Sequence, residues 1–217
     1  MVVAERDRRS LFVIAAAAAA LAALCVVTID QPVARWLAGR DTAPAIWDRG
    51  ISIVELVSGI EPWKWIGTCV VGAGVIATLA LRRYRHLAPA WLFVAITHFL
   101  ARNLMLWTKT FTGRLRPSEW LARGGDTFFR DGGISFPSGH VIYVASLALP
   151  IAIVWPRSRP AVAVVVAFTM VARVVVDAHF ISDVVAGLAL AAVVTWLGAA
   201  AVRPLAAPSP TPPASPG

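Results

Sequence analysis

Three short stretches of this 217-residue chain carry side chains suited to handling a phosphoryl group. Lys109 and Arg116-Pro117 are separated by six residues, Pro137-Ser138-Gly139-His140 forms a compact polar turn, and Arg173, His179 and Asp183 follow with five and three residues between them. A phosphate monoester carries nearly two negative charges, because its second pKa lies at about 6. Lys109, Arg116 and Arg173 supply matching positive charge, and arginine presents planar paired donors to phosphate oxygens. Ser138 and Gly139 stand at the start of an apolar run. If that run is a helix, their backbone N–H groups form an anion site at its N-terminus, and glycine lets an oxygen approach closely. Phosphoryl transfer depends on positioning and charge neutralisation. The side-chain cations can do that work, so no metal and no cofactor is expected.

The elements that position these residues are membrane spans. The chain is 58% hydrophobic and only 15% charged, with a mean hydropathy of +0.71, whereas a soluble domain carries about 25% charged residues. The apolar excess collects in long uncharged runs, which soluble helices do not need. These predict spans over Leu11 to Ile29, Trp65 to Leu81, Leu87 to Trp107, His140 to Trp155, Ala161 to Ala178 and Val184 to Val202. The segment 30–64, broken by Pro32, Gly39, Pro44 and Gly50 and rich in tryptophan, reads as interfacial, with a short amphipathic helix at Ile51 to Ile60. The predicted fold is all-α: one integral-membrane bundle of about six transmembrane helices in a single domain, 1–203. A Pro-rich tail, 204–217, buries too little to order itself. Cys25 and Cys69 lie inside apolar runs without metal-ligand spacing and read as small buried hydrophobes.

Topology then sorts the polar residues. With a basic N-terminus inside, the inner stretches are 1–10, 82–86, 156–160 and the tail from Arg203, all of which carry arginine, as the positive-inside rule requires. The net charge of +8 is thereby read as a topology signal, and no nucleic-acid partner is expected. Lys109, His140, His179 and Asp183 each fall at an outer end of a span, so three sequence-distant clusters reach one membrane face. A chance scatter of polar residues would not sort by face.

On these motifs the chain resembles the type 2 phosphatidic acid phosphatase superfamily, which includes lipid phosphatases and vanadium haloperoxidases. The resemblance is carried by Lys109 to Pro117, Pro137 to His140 and Arg173 to Asp183, and covers about residues 87 to 200. It implies a phosphatase core with His179 as nucleophile, Asp183 as its carboxylate partner and His140 as general acid, with Lys109, Arg116, Ser138, Gly139 and Arg173 binding phosphate. The physical chemistry agrees. Neutral imidazole can attack phosphorus and form a phosphohistidine. A carboxylate four positions on can hold the other ring nitrogen, either from the same helical turn or from the start of the next helix. One departure is Ala172, where the family usually has serine; a hydroxyl is lost beside Arg173.

Each residue also has a plainer reading: an interfacial histidine, a helix-capping Asp183, an Arg173 snorkelling to the boundary. Charges inside spans are costly and usually functional, and the joint register favours catalysis. Arg102 reads as snorkelling outward, Asp126 and Asp131 as parts of a solvated loop, and Arg114, Arg123 and Arg130 as attractors of anionic headgroups. The expected activity is hydrolysis of a lipid phosphate or polyprenyl pyrophosphate at the periplasmic or extracellular face of the cytoplasmic membrane. Phosphatidic acid, phosphatidylglycerol phosphate and polyprenyl pyrophosphate all meet that description. A lipid phosphotransferase and a non-catalytic anion-binding membrane protein are the competing classes. The expected partners are a lipid phosphate substrate and membrane lipids, and no oligomeric state is specified.

Overall fold

The computed structural model describes residues 3–40, 45–58, 66–125 and 128–201. Nine α-helices occur among them: α1 (Glu5–Thr28), α2 (Asp30–Leu37), α3 (Ala45–Ser58), α4 (Ile66–Ala80), α5 (Ala88–Thr112), α6 (Pro117–Ala122), α7 (Gly139–Val154), α8 (Arg159–Val175) and α9 (Ile181–Ala201). No strand occurs among the described residues. The six expected spans correspond to α1, α4, α5, α7, α8 and α9. The helical segments containing α1, α5, α8 and α9 are long and apolar enough to cross a membrane, while α4 and α7 are shorter apolar helices. The interfacial segment forms α2 and α3, the latter starting earlier than expected; Ile60, Trp63, Trp65, Asp126 and the tail 204–217 lie outside the described residues.

α9 is the hub. Its buried set includes Ser182, Asp183, Gly187, Ala191, Ala192, Thr195 and Ala199, and it packs on α1, α5, α7 and α8. The small residues make this possible, because without a hydrophobic drive between helices in lipid, close backbone approach supplies the attraction. α1 buries Leu11, Ala15, Ala18, Ala22 and Cys25 at helical spacing and turns Phe12, Leu21, Leu24 and Val27 outward. A Cβ at Gly187 would lie 3.1 Å from the Ser138 carbonyl oxygen and 3.1 Å from Val141 Cβ, so glycine sets how closely α9 meets the start of α7.

The outer faces of the spans are apolar: Ile76, Phe99, Leu106, Trp107, Phe111 and Val164 are all exposed. Contiguous apolar surface on this scale belongs against lipid, and the protein is membrane-embedded. Cys69, expected to be buried, is exposed on α4, where an apolar medium suits it equally well. Two ends of the bundle are distinguished. At one, Arg159 Nη2 at the start of α8 meets Asp7 Oδ1 at the start of α1 at 2.7 Å. The other end holds the C-termini of α5 and α8 and the N-termini of α7 and α9.

Candidate active site

At that second end, α8 stops in a way that places two functional groups together. Asp177 takes a left-handed conformation, φ 53°, which aspartate tolerates better than most residues. The chain turns back, and the amides of Ala178 and His179 donate to the Arg173 carbonyl at 3.2 and 3.1 Å. His179 thus sits in the 176–180 connection, 3% exposed, above the last turn that carries Arg173.

Asp183 stands in the first turn of α9, so the helix breaks between it and His179 and the carboxylate reaches back from the next element. Its Oδ2 lies 3.3 Å from His179 Nδ1 and accepts from the Phe180 amide at 3.0 Å and from Ser135 Oγ at 2.5 Å. Its Oδ1 accepts from Arg114 Nη1 at 2.5 Å. A carboxylate only accepts, so His179 carries its proton on Nδ1 and presents the Nε2 lone pair. Burial pushes the His179 imidazole below its ordinary value of 6.5; the hydrogen bond and charge of Asp183 oppose this, and the charges of Lys109 and Arg173 add to it. The ring is therefore neutral, and nucleophilic, to lower pH than a free histidine. In the free protein His179 should titrate below pH 6.5. This can be read from histidine ¹⁵N shifts assigned with His179→Asn; a midpoint above 6.5 would contradict the burial argument.

The cations gather around this pair. Lys109, near the end of α5, donates through Nζ to the carbonyl oxygens of Ile134 and, at 3.5 Å, Ser135. Neither partner cancels its charge. His140, in the first turn of α7, lies within electrostatic reach of Arg173, His179, Lys109 and Arg116. Arg116 caps α6, its backbone amide donating to Glu119 Oε2 at 2.8 Å, and its charge acts on Lys109 and Arg173. A Cβ at Gly139 would lie 3.2 Å from Met105 Sδ, so glycine lets α5 close on the start of α7 at Met105, with the Lys109 stem in ordinary contact beside it. One expectation changes in detail. The Ser138 amide is not free for an anion, because it donates to the Asp183 carbonyl at 2.9 Å. The first-turn amides of α7, which no helix can satisfy internally, and Ser138 Oγ remain.

The structure brings all eight motif residues to one end of the bundle and adds five that the sequence reading did not place there. Glu55 on α3 lies 2.6 Å from His140 Nε2 and 3.9 Å from Arg173 Nη1. Ser135 bridges His179 and Asp183. Arg114, expected at the headgroups, is fully buried and joins Asp183 to Asp30 Oδ2 (2.6 Å) and Ser182 Oγ (2.5 Å). Asp30 in turn accepts from the Ser182 amide at 3.0 Å. Arg102 likewise turns inward, donating to Thr68 Oγ1 at 3.2 Å, and Asp131 pairs with Arg123 at 2.5 Å. Ala172, where the expected hydroxyl is missing, is wholly buried.

Fold and site together define a membrane-embedded helical protein with a histidine–aspartate pair beneath a cluster of cations. The PAP2 superfamily model matches residues 87–205, and the chain belongs to that superfamily. Two relatives named lipid A 1-phosphatase, from Rhizobium johnstonii and Rhizobium etli, are each 36% identical to it, over 104 and 105 residues. Those stretches make up 46% of this chain and 41% and 44% of the relatives, so less than half of either curated relative is matched. The crystal structure of a transmembrane PAP2 type phosphatidylglycerolphosphate phosphatase from Bacillus subtilis shares the fold, with a TM-score of 0.56 at 21% identity over 88% of this chain and 94% of that one.

Proposed function

We propose that this protein hydrolyses the phosphate of a membrane lipid through a phosphohistidine on His179, at the outer face of the cytoplasmic membrane. One observation carries the reading. Ser138 Oγ and Arg173 Nε, both buried beside the His179–Asp183 pair, have no hydrogen-bond partner among the described residues. Buried donors are rarely left unsatisfied, and a phosphate held by Lys109, Arg116, Arg173, Ser138 and the Gly139 amide would satisfy them. The relatives' names, lipid A 1-phosphatase and phosphatidylglycerolphosphate phosphatase, support a lipid carrier. Arginine at 82–85 and 157–159, at the opposite end of the bundle, supports an outward-facing site.

In this mechanism His179 Nε2 attacks phosphorus and the bond from phosphorus to the leaving oxygen breaks. Asp183 stabilises the positive ring through Nδ1–H. The Glu55 carboxylate, 2.6 Å from His140 Nε2, favours the imidazolium form of His140, whose Nε2 proton passes to the leaving oxygen and leaves a neutral ring. Water then attacks phosphorus, its proton returns to His140, the phosphorus–nitrogen bond breaks and inorganic phosphate leaves.

The test is a release assay on the purified protein, in a chelator, across phosphatidic acid, phosphatidylglycerol phosphate, lipid A and a polyprenyl diphosphate. At least one should yield phosphate, and vanadate, which mimics five-coordinate phosphorus, should inhibit. No release from any, or transfer of phosphate to a second lipid in place of water, would overturn the hydrolase reading.

A further inference from the structure

Glu55 stands where a cationic phosphate site has least use for an anion. Its side chain is 17% exposed, against His140 at 2.6 Å and Arg173 at 3.9 Å. Charge withdrawn from water this far is costly unless paired, and α3 is otherwise apolar at this end, with Ile53 and Leu56 facing outward. The position is built rather than incidental. Trp47 stacks on Phe168 of α8 at 5.5 Å, Gly50 allows that same ring to lie against the α3 backbone, and Glu55 follows on the same helix.

The carboxylate also marks one side of the reacting phosphorus. His140 Nε2, the nitrogen bearing the proton for the leaving oxygen, is the atom Glu55 touches. An apolar groove of about 400 Å³ lies between α3, α7 and α8, lined by Ile53, Val54, Val144, Leu147, Ile151 and Val165. Val54 adjoins Glu55, and Val144 is one turn along from His140. The lipid part of a substrate, which is its leaving group, therefore lies on the Glu55 side.

We infer that Glu55 is a specificity-determining residue that selects lipid phosphate monoesters over lipid diphosphates. This rests on the hydrolase reading above. When a monoester is cleaved, the atom beside Glu55 is an alcohol oxygen taking a proton. When a diphosphate is cleaved, the group beside Glu55 is a second phosphate, and two like charges share a site with little water. Such juxtapositions discriminate strongly between ligands. Arg173 moderates the repulsion, but Glu55 already engages it.

The experiment compares kcat/KM for a long-chain alkyl monophosphate and for the diphosphate with the same tail. The native protein should prefer the monophosphate. Glu55→Gln keeps the shape and removes the charge, and should shift the ratio about tenfold or more toward the diphosphate; Glu55→Asp should retain the monophosphate preference. Inhibition gives a second comparison: inorganic pyrophosphate should compete more weakly than inorganic phosphate with the native protein, and Glu55→Gln should narrow that gap. An unchanged ratio in Glu55→Gln, with release still dependent on His179, overturns the role of Glu55 and leaves the hydrolase reading standing. A native preference for the diphosphate also overturns it. No release from either substrate overturns both.

Discussion

Replacing His179 with alanine should lower phosphate release by about 10⁴-fold or more, the scale seen when a covalent nucleophile is removed from a preorganised site. On the proposed phosphohistidine route the loss is large because the other groups near the site only bind, orient or move protons. Lys109, Arg116 and Arg173 would still hold the phosphate, so the loss should fall on kcat, with KM and vanadate affinity changing far less. The native protein, quenched in alkali during turnover of a radiolabelled substrate, should retain label as a phosphoramidate that acid removes; the alanine variant should retain none. Among the described residues the His179 ring is hydrogen-bonded through Nδ1, to Asp183 and Ser135, so truncation orphans few groups and the variant should fold. Release within tenfold of the native rate would remove His179 from the mechanism and transfer attention to direct attack by water.

The motif residues were legible because they are rare where they occur. In a chain with 15% charged residues, a histidine or aspartate at the end of an apolar run stands out, and the alternation of spans fixes which end it occupies. Lys109, His140, His179 and Asp183 could therefore be assigned a common face before any geometry was known. Long uncharged apolar runs and arginine-dense turns located the six apolar helices in the same way. The buried partners were not legible, for physical reasons. Arg114 lies among several arginines between 109 and 130, and nothing in its neighbours separates a solvated guanidinium from one enclosed by rings 14 to 66 residues away, Phe128 and Phe180 among them. Asp30 reads as the polar stop of the first apolar run, because its partner Arg114 is 84 residues distant. Glu55 lies in an amphipathic segment whose inward face is defined only once α3 meets α8. The turn between His179 and Asp183 was left open in the sequence for a related cause: spacing of four fits one helical turn, and only the fold shows that α9 begins at Ile181.

Arg114→Met should destabilise the protein by about 3–5 kcal/mol, the usual cost of removing one member of a buried ionic network. The arginine side chain is wholly buried and binds two carboxylates through separate nitrogens, Asp183 at 2.5 Å and Asp30 at 2.6 Å. Phe128 and Phe180 flank its guanidinium at 4.1 and 4.3 Å from their centroids, adding cation–π attraction in a dry setting. Methionine fills much of the volume and supplies no charge, so Asp30 and Asp183 are left facing each other's field. A thermal midpoint lower by roughly ten degrees, measured in detergent, is the corresponding shift. Arg114→Lys should fall between, since one ammonium cannot span both carboxylates as a planar fork does. Adding Asp30→Asn to Arg114→Met should recover part of the loss by removing one stranded charge, whereas independent effects would simply add. The network also bears on catalysis. Asp183 holds His179 with the oxygen opposite the one Arg114 grips; without the guanidinium Oδ2 keeps the Phe180 amide and Ser135 Oγ, but Oδ1 loses its anchor and the carboxylate can rotate about its bond to Cβ, loosening the contact to Nδ1. Arg114→Met should therefore lose turnover even at temperatures where it remains folded. A midpoint within about two degrees of native would show that Asp30 and Asp183 do not depend on this guanidinium, and that the buried triad is not what fixes the nucleophile.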